Sequence, residues 1–240
     1  MKLSAIIFDV DGTLAETEEI HRRAFNETFA AEGLSWHWDQ PTYRELLKTT
    51  GGKERMHAFI RDYDPADAPA DEDIPRIHAA KTRRYGELIA EGAVILRPGI
   101  SELTSDARAQ GRRLAIATTT SRPNIDALCL ATFGAPTEAV FDAVGAGDEV
   151  PRKKPAPDVY LLALERLSLP AEACIALEDS RNGLLSAVAA GIPCVVSPGP
   201  YTIGQDFAEA QAVIPEFSDL GSVAALDAIL GASAGLGGRT

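Results

Sequence analysis

Four short apolar runs without polar–apolar alternation constrain the fold of this chain most strongly. They are Ser4–Phe8, Leu114–Ala117, Ala173–Leu177 and Pro193–Val196. Runs of this kind are typical of strands buried on both faces of a parallel sheet. Helical patterns separate the runs, and strands that alternate with helices indicate βαβ units. The sequence therefore predicts an α/β fold, a parallel sheet covered by helices, with weaker strands at 140–141 and 212–214.

The alternation of strands and helices stops between Glu16 and Glu91, where helical patterns follow one another. They cover 18–32, 42–47, 53–61 and 74–91, with an acidic break at 62–73. We predict a core domain of residues 1–15 and 96–240, and an inserted helical domain of residues 16–95. The expected hinges are 15–17 and 94–99, of which the second contains a Pro-Gly turn. From Gly231 onward the chain is rich in Gly, Ala and Ser, and we expect it to fray.

The charge balance and the cysteines exclude several classes of protein. With 23 Lys and Arg against 35 Asp and Glu, the net charge is −12, which excludes a basic nucleic-acid binder. The first apolar run stops at Asp9, too early for a membrane helix or a signal peptide. Cys129, Cys174 and Cys194 are far apart in apolar surroundings, which indicates reduced core thiols. We expect a cytoplasmic protein without membrane or nucleic-acid partners.

Polar residues follow the predicted strands at the edge where a parallel sheet binds ligands. The first strand ends in Asp9-Val10-Asp11-Gly12-Thr13, the second in Thr118-Thr119, and a later one in Glu178-Asp179. Lys154 precedes that later strand, after a Gly-rich loop. Carboxylates that meet at one point repel one another, and a divalent cation with oxygen ligands, such as Mg²⁺, removes the repulsion. The sequence therefore predicts a metal site.

Asp-x-Asp-Gly-Thr, a strand-end Thr, Lys-Pro and Glu-Asp-Ser, in this order, resemble the four motifs of the haloacid dehalogenase superfamily. The resemblance covers the whole chain, and the helical insert falls where that superfamily has its first-position cap. It implies a Rossmann-like core. Residues 9–28, 49–55, 154–158 and 178–183 resemble most the CbbY-type phosphatases of the beta-phosphoglucomutase-like group. Asp11 implies phosphate-ester substrates, because haloacid dehalogenases lack this second aspartate.

The resemblance also implies catalytic roles that suit phosphoryl transfer. Asp9 would be the nucleophile that forms an aspartyl phosphate, and Asp11 the general acid and base. Thr118 would bind a phosphoryl oxygen, and Lys154 would balance negative charge. Mg²⁺ would be held by Asp9, by Asp11 through its backbone carbonyl, and by Glu178 and Asp179. The residues expected to bind substrate are Glu18, His21, Arg23, Thr50, Gly51, Gly52, Lys53, Arg55, Thr119 and Asn182.

The 49–55 segment precedes a helix, so that its backbone N–H groups could bind a second phosphate. An interhelical turn capped by Gly is the alternative for the same residues. The resemblance implies a monomeric Mg²⁺-dependent phosphatase for a small sugar bisphosphate, xylulose-1,5-bisphosphate, with xylulose 5-phosphate as product. A mutase of the beta-phosphoglucomutase kind, a generalist phosphomonoesterase such as a phosphoglycolate phosphatase, and a non-catalytic binding protein are the alternatives. Thr13, where the mutase pattern has Val, favours hydrolysis.

Overall fold

The computed structural model of the protein describes residues 2–92 and 94–236, with the side chains up to residue 231. Six parallel strands form one sheet in the order β3-β2-β1-β4-β5-β6. The first strand is therefore central, paired with β2 on one side and β4 on the other. The strands are β1 Ala5–Phe8, β2 Arg113–Ala117, β3 Ala143–Gly145, β4 Cys174–Glu178, β5 Cys194–Val196 and β6 Ala212–Val213.

Helices cover both faces of this sheet, as the sequence predicts for a Rossmann-like α/β fold. One apolar cluster contains Ile6 and Phe8 and the other Ile7, because successive residues of a strand point to opposite faces. The helices that follow the insert are α5 Ile100–Ala109, α6 Arg122–Phe133, α7 Thr137–Val140, α8 Asp158–Leu167, α9 Arg181–Ala189 and α10 Val223–Leu236.

The helical segment, residues 16–95, contains four α-helices, in agreement with the sequence. They are α1 Glu18–Ala31, α2 Gln40–Leu46, α3 Gly52–Tyr63 and α4 Ile74–Ala90. Phe25, Phe29, Trp36, Trp38 and Met56 form part of a separate apolar cluster inside the segment. The inner faces of α1 and α4 also join the cluster on one face of the sheet. The domain boundaries at 15/16 and 95/96 stay a prediction.

Two predictions about single elements were wrong. The strand expected at Val140–Phe141 is instead β3, Ala143–Gly145, because residues 137–140 form a helical turn and the Asp142 side chain accepts a hydrogen bond from Leu114 N. The predicted frayed segment from Gly231 is helical as far as Leu236, since Ala and Leu are good helix formers. Residues 237–240 lie outside the described residues.

The three cysteines are free and buried, as expected. Among the described residues, no helix combines the length and the apolar character that crossing a membrane requires.

Candidate active site

A cavity of about 1140 Å³ lies between the carboxyl edge of the sheet and helices α1, α3 and α4. It brings together residues that are up to 197 positions apart along the chain, from Asp9 to Asp206. Most of the residues predicted for the site line it, namely Asp9, Asp11, Glu18, His21, Thr50, Gly51, Gly52, Lys53, Arg55, Thr118, Thr119, Lys154, Asp179 and Asn182.

The loop after β1 and the end of β4 place two carboxylates, Asp9 and Glu178, against one lysine. Lys154 Nζ lies 2.6 Å from Asp9 Oδ1 and 2.5 Å from Glu178 Oε1. Glu178 is fully buried beneath the cavity, and its Oε1 also accepts a hydrogen bond of 2.7 Å from the Tyr160 hydroxyl. Tyr160, in the first turn of α8, is not among the residues predicted from the sequence.

These carboxylates suit a divalent cation. Asp9, Glu178 and Asp179 each offer an oxygen, and the three atoms lie within 4.8 Å of one another. Burial raises the pKa of Asp9 to about 7, and Glu178 and Asp11 add to this while Lys154 opposes it. Burial, followed by the charges of Asp9 and Glu178, also raises the pKa of Asp179 well above its usual value. One lysine does not balance three buried carboxylates, and a bound divalent cation would.

Two glycines allow the carboxylates to approach the backbone closely. Gly12 has a φ of +83°, and a Cβ there would lie 2.4 Å from Asp179 Oδ2. A Cβ at Gly183 would meet the Glu178 carboxylate. The chain therefore turns sharply after Asp11 and also leaves room for the metal-site carboxylates.

Asp11 belongs to a different set of contacts from the carboxylate group. Its Oδ1 accepts a hydrogen bond of 2.5 Å from the Thr17 hydroxyl and lies 3.0 Å from His21 Nε2. Burial raises the pKa of Asp11, but His21 and Thr17 outweigh burial and lower it to about 2. The prediction that Asp11 contributes to the metal site therefore concerns only its backbone carbonyl, because its carboxylate is held elsewhere.

Lys81 is a buried cation that is not among the residues predicted from the sequence. Its Nζ lies 2.6 Å from His21 Nδ1, and the His21 ring stacks on Tyr85 with centroids 4.0 Å apart. Burial lowers the pKa of Lys81 to about 7, and burial together with the Lys81 charge lowers the pKa of His21 to about 4. The buried face of α4 contained the signal, because Lys81 interrupts its apolar series of Ile74, Ile77, Tyr85 and Leu88.

A second polar chain runs along the helical side of the cavity. The Tyr43 hydroxyl donates to Glu18 Oε2 at 2.9 Å and accepts from Arg55 Nη1 at 2.9 Å. Burial raises the pKa of Glu18 to about 6, while Arg55 opposes the rise. Among the residues that the structure describes, none accepts a hydrogen bond from the buried Nε of Arg55. Arg55 therefore has an unused donor beside the cavity.

The 49–55 segment faces the sheet edge across the cavity. Asn182, at the start of α9, donates from Nδ2 to the Thr50 hydroxyl at 2.9 Å. His78 lies against the first residue of α3, where a Cβ on Gly52 would be 2.2 Å from its Nε2. Thr118 at the end of β2 is buried, and its hydroxyl accepts from Thr120 N at 3.3 Å.

The structure does not bring Arg23 to the cavity, which corrects its prediction as a substrate ligand. The Arg23 guanidinium pairs with Glu27 at 2.6 Å, and its side chain is 54% exposed. It lines a separate surface depression with His37. The reason is helical geometry: two residues after the inward-facing His21, a side chain points to the other side of α1.

Comparisons with known proteins agree with this site. The model of the haloacid dehalogenase-like hydrolases matches residues 3–191. The chain is 56% identical to Protein CbbY of Cereibacter sphaeroides, over 94% of this chain and 97% of that protein. It is 58% identical to Protein CbbY of Rhodobacter capsulatus, over 91% and 95%. The crystal structure of a CbbY variant from Rhodobacter sphaeroides in complex with xylulose-(1,5)bisphosphate superposes with a TM-score of 0.91, at 56% identity, over 94% and 99% of the two chains.

The matched residues contain every motif that forms the site, from the Asp9 loop to the Glu178-Asp179 pair. The chain therefore belongs to the haloacid dehalogenase-like hydrolases, and it is a phosphatase of that family.

Proposed function

We propose that the protein is a Mg²⁺-dependent phosphatase that hydrolyses xylulose-1,5-bisphosphate to xylulose 5-phosphate and inorganic phosphate through an aspartyl phosphate. One observation carries the proposal. The Asp9 carboxylate lies 2.6 Å from Lys154 Nζ within a group of three carboxylates, and Asp11 faces the same cavity. A nucleophile, a balancing cation and a second carboxyl group are the parts that phosphoryl transfer in two steps requires.

Asp9, Glu178, Asp179 and the backbone carbonyl of Asp11 would hold the metal ion. When bound, Mg²⁺ supplies positive charge that reduces the repulsion between the phosphate and Asp9. In the first step an oxygen of Asp9 forms a bond to phosphorus, and the bond from phosphorus to the sugar oxygen breaks. Asp11 gives its proton to that oxygen. Lys154 balances the negative charge that develops on the transferring group.

In the second step a water molecule attacks the phosphorus of the aspartyl phosphate. Asp11 takes a proton from that water, inorganic phosphate leaves, and the Asp9 carboxylate is restored. The hydrogen bonds from Thr17 and His21 favour the ionised form of Asp11, which is the form of a base. The negative phosphates of a bound substrate raise the pKa of the Asp11 carboxyl. They therefore favour its protonated form, which is the acid that the first step requires.

A bisphosphate suits the cavity because basic residues also lie on its helical side. Lys53, Arg55 and Lys81 line it opposite Asp9, and Thr50 to Gly52 lead into the N-terminus of α3. Such a helix start favours anions. The CbbY relative that is 56% identical binds xylulose-(1,5)bisphosphate in its crystal structure, which supports this sugar as the substrate.

Three further points belong to the proposal. The helical segment acts as a cap that closes over the substrate and excludes water. The protein acts as a monomer, since one chain supplies all the side chains described for the site. It acts in the cytoplasm on a free metabolite.

The test is Mg²⁺-dependent phosphate release from a panel of esters. The panel contains xylulose-1,5-bisphosphate, ribulose-1,5-bisphosphate, fructose-1,6-bisphosphate, glucose 1-phosphate and phosphoglycolate, with Asp9→Asn as control. We expect strong preference for the first compound and no turnover by the variant. Formation of glucose 6-phosphate would indicate a mutase, and equal slow release from all esters a generalist phosphatase. Wild-type activity in Asp9→Asn would contradict the covalent mechanism.

A further inference from the structure

We propose that Arg97 is a positioning residue that fixes the catalytic loop after β1 to the end of β5. Arg97 lies in the second linker between the helical segment and the core. It is not among the residues that line the cavity, and the hydrogen bonds of its guanidinium go to groups other than Asp9, Glu178 and Asp179. The inference rests on the proposed roles of Asp9 and Asp11, because these are the residues that the loop carries.

Arg97 is a buried cation whose hydrogen bonds converge on two backbone segments. Its side chain is 2% exposed. Nη1 donates to the Gly12 carbonyl at 2.6 Å and to the Ser197 carbonyl at 2.7 Å. Nη2 donates to the Ser197 hydroxyl at 2.7 Å. One planar guanidinium therefore joins the residue after Asp11 to the residue after β5.

The Gly12 carbonyl is a position where such a restraint matters. Glycine is the most freely rotating residue, and Gly12 adopts a φ of +83° next to the metal-site carboxylates. Rotation of the backbone at Gly12 would also turn the peptide that carries the Asp11 carbonyl. Holding the Gly12 oxygen therefore restrains the direction in which the Asp11 side chain and carbonyl point.

Ser197, the other partner of Arg97, is hydrogen-bonded to β4, the strand that carries Glu178. Ser197 N donates to the Glu178 carbonyl at 2.8 Å. Through Ser197, Arg97 joins the loop that carries Asp9 and Asp11 to the strand end that carries Glu178 and Asp179. Arg97 is thus a second buried donor, besides Lys154, that joins the two halves of the candidate site.

Arg97 also joins the two linkers. Its backbone N donates to the Leu14 carbonyl at 2.8 Å, and its Nε lies 3.4 Å from Glu16 Oε1 in the first linker. Glu216 Oε2 accepts from Nη2 at 3.1 Å. The two terminal nitrogens of the arginine fork bond to oxygens of Gly12, Ser197 and Glu216 at once, whereas the single ammonium of lysine cannot. Arginine is therefore required at this position, beyond the need for a positive charge.

The experiment compares Arg97→Lys with Arg112→Lys. Arg112 is also buried and pairs with Asp227 at 2.7 Å, but it lies at the opposite end of β1, beside Leu3. We measure kcat and KM for phosphate release, melting temperature, and hydrogen–deuterium exchange of the peptide that contains residues 9–14. We expect Arg97→Lys to lower kcat at least tenfold with KM changed less than threefold, and to speed exchange in that peptide. Arg112→Lys should leave kcat and this exchange unchanged, even where it lowers the melting temperature.

Unchanged exchange of residues 9–14 in Arg97→Lys, or an equal loss of kcat in Arg112→Lys at an equal loss of melting temperature, would overturn the proposal. Where Arg97→Lys does not fold, Ser197→Ala decides, since it removes one acceptor of Nη2 and keeps the arginine. We expect faster exchange of residues 9–14 in that variant too, and unchanged exchange would contradict the proposal. The exchange measurement needs no substrate, so it stands even where the wild-type protein fails to hydrolyse the bisphosphate.

Discussion

Lys81 Nζ lies 2.6 Å from His21 Nδ1, and His21 Nε2 lies 3.0 Å from Asp11 Oδ1. An ammonium only donates hydrogen bonds, so Lys81 makes Nδ1 the acceptor and leaves the ring proton on Nε2. His21 therefore presents a donor to Asp11. A buried lysine on α4 thus determines how the carboxyl of Asp11, the proposed acid–base group, is held.

Replacing Lys81 with Met should lower kcat about 10- to 150-fold, because a lost hydrogen bond to a charged group corresponds to about 1.5–3 kcal/mol. Without Lys81, the His21 ring can place its proton on Nδ1 and lose its bond to Asp11. Steady-state phosphate release gives the measurement. Arg76→Met on the same helix is the control, since Arg76 is 58% exposed and pairs with Glu32 away from the cavity. Equal rates for both variants would refute the role of Lys81.

Tyr160→Phe should weaken Mg²⁺ binding about tenfold and keep the fold. The change removes only the hydroxyl that donates to Glu178 Oε1 at 2.7 Å. Loss of a hydrogen bond to a metal ligand typically weakens metal binding about 10- to 100-fold. Titration of activity against Mg²⁺ gives the midpoint. Tyr63→Phe, at a residue that is 49% exposed, should leave the midpoint unchanged. The same midpoint in wild type and Tyr160→Phe would exclude this role.

Gly12→Ala should abolish Mg²⁺-dependent activity, because the new Cβ would lie 2.4 Å from Asp179 Oδ2. Gly33→Ala is a matched control with a φ of +75° and no atom within 4 Å of its Cβ. Both substitutions carry the cost of a left-handed residue, about 1–2 kcal/mol. Thermal unfolding should therefore show similar losses of stability, while only Gly12→Ala loses activity. Activity retained in Gly12→Ala would show that the loop can move away from Asp179.

The Asn182–Thr50 hydrogen bond of 2.9 Å joins α9 to the helical segment. We expect Asn182→Ala and Thr50→Ala each to raise KM, and the double variant to raise it little further, because either change breaks the same bond. The coupling should be about 0.5–1.5 kcal/mol. If the two side chains bind substrate independently, their effects on KM will instead add.

His78 makes the stability of the protein depend on pH. Burial, followed by the charges of Lys81 and Lys53, lowers the pKa of His78 to about 3. The folded state binds this proton less tightly than the unfolded chain does. The contribution of His78 to the free energy of unfolding is therefore complete above the usual histidine pKa and is lost as the pH drops below it. The contribution of His78 to this loss between pH 7 and pH 5 should be about 2 kcal/mol.

Urea unfolding at pH 7 and pH 5 measures this dependence. His78→Gln should lose less stability than the wild type between these two pH values. His57→Gln, on the exposed side of α3, serves as the control and should behave as the wild type does. A pH dependence that is the same in all three proteins would rule out His78 as its source.

The site was predictable where residues follow strands directly. Asp9, Thr118 and Asp179 each continue a buried strand, and parallel strands bring their ends to one edge of the sheet. The pairing of β1 with β2 and β4, which places these residues side by side, does not follow from the order of the strands in the sequence. Arg23 was predicted to bind substrate together with His21, which lies two residues before it. In a helix, side chains two residues apart point to different sides, so Arg23 lies outside the cavity. Tyr160 and Lys81 were missed because their partners, Glu178 and His21, are brought to them only by tertiary packing.

The position of the third strand could not be predicted from residue types either. Val140 and Phe141 have the residue types of a strand, yet Val140 ends a helical turn and Phe141 packs into the core. The strand that forms instead, Ala143–Gly145, has little intrinsic preference for β-structure. Its place is set by pairing with Ala115 to Ala117, which is a property of the assembled sheet.

Ala15 and Leu96 form an antiparallel bridge, so the chain leaves the core and returns to it at adjacent backbone positions. The 80 residues between these positions (16 to 95) can therefore be regarded as an exchangeable module. A chimera joined at these positions would keep the sheet and Asp9 while it acquires the specificity of another helical segment. Such a graft must bring its own apolar surface, because Leu88 and Ile89 of α4 share a cluster with Ile125 and Leu128 of α6.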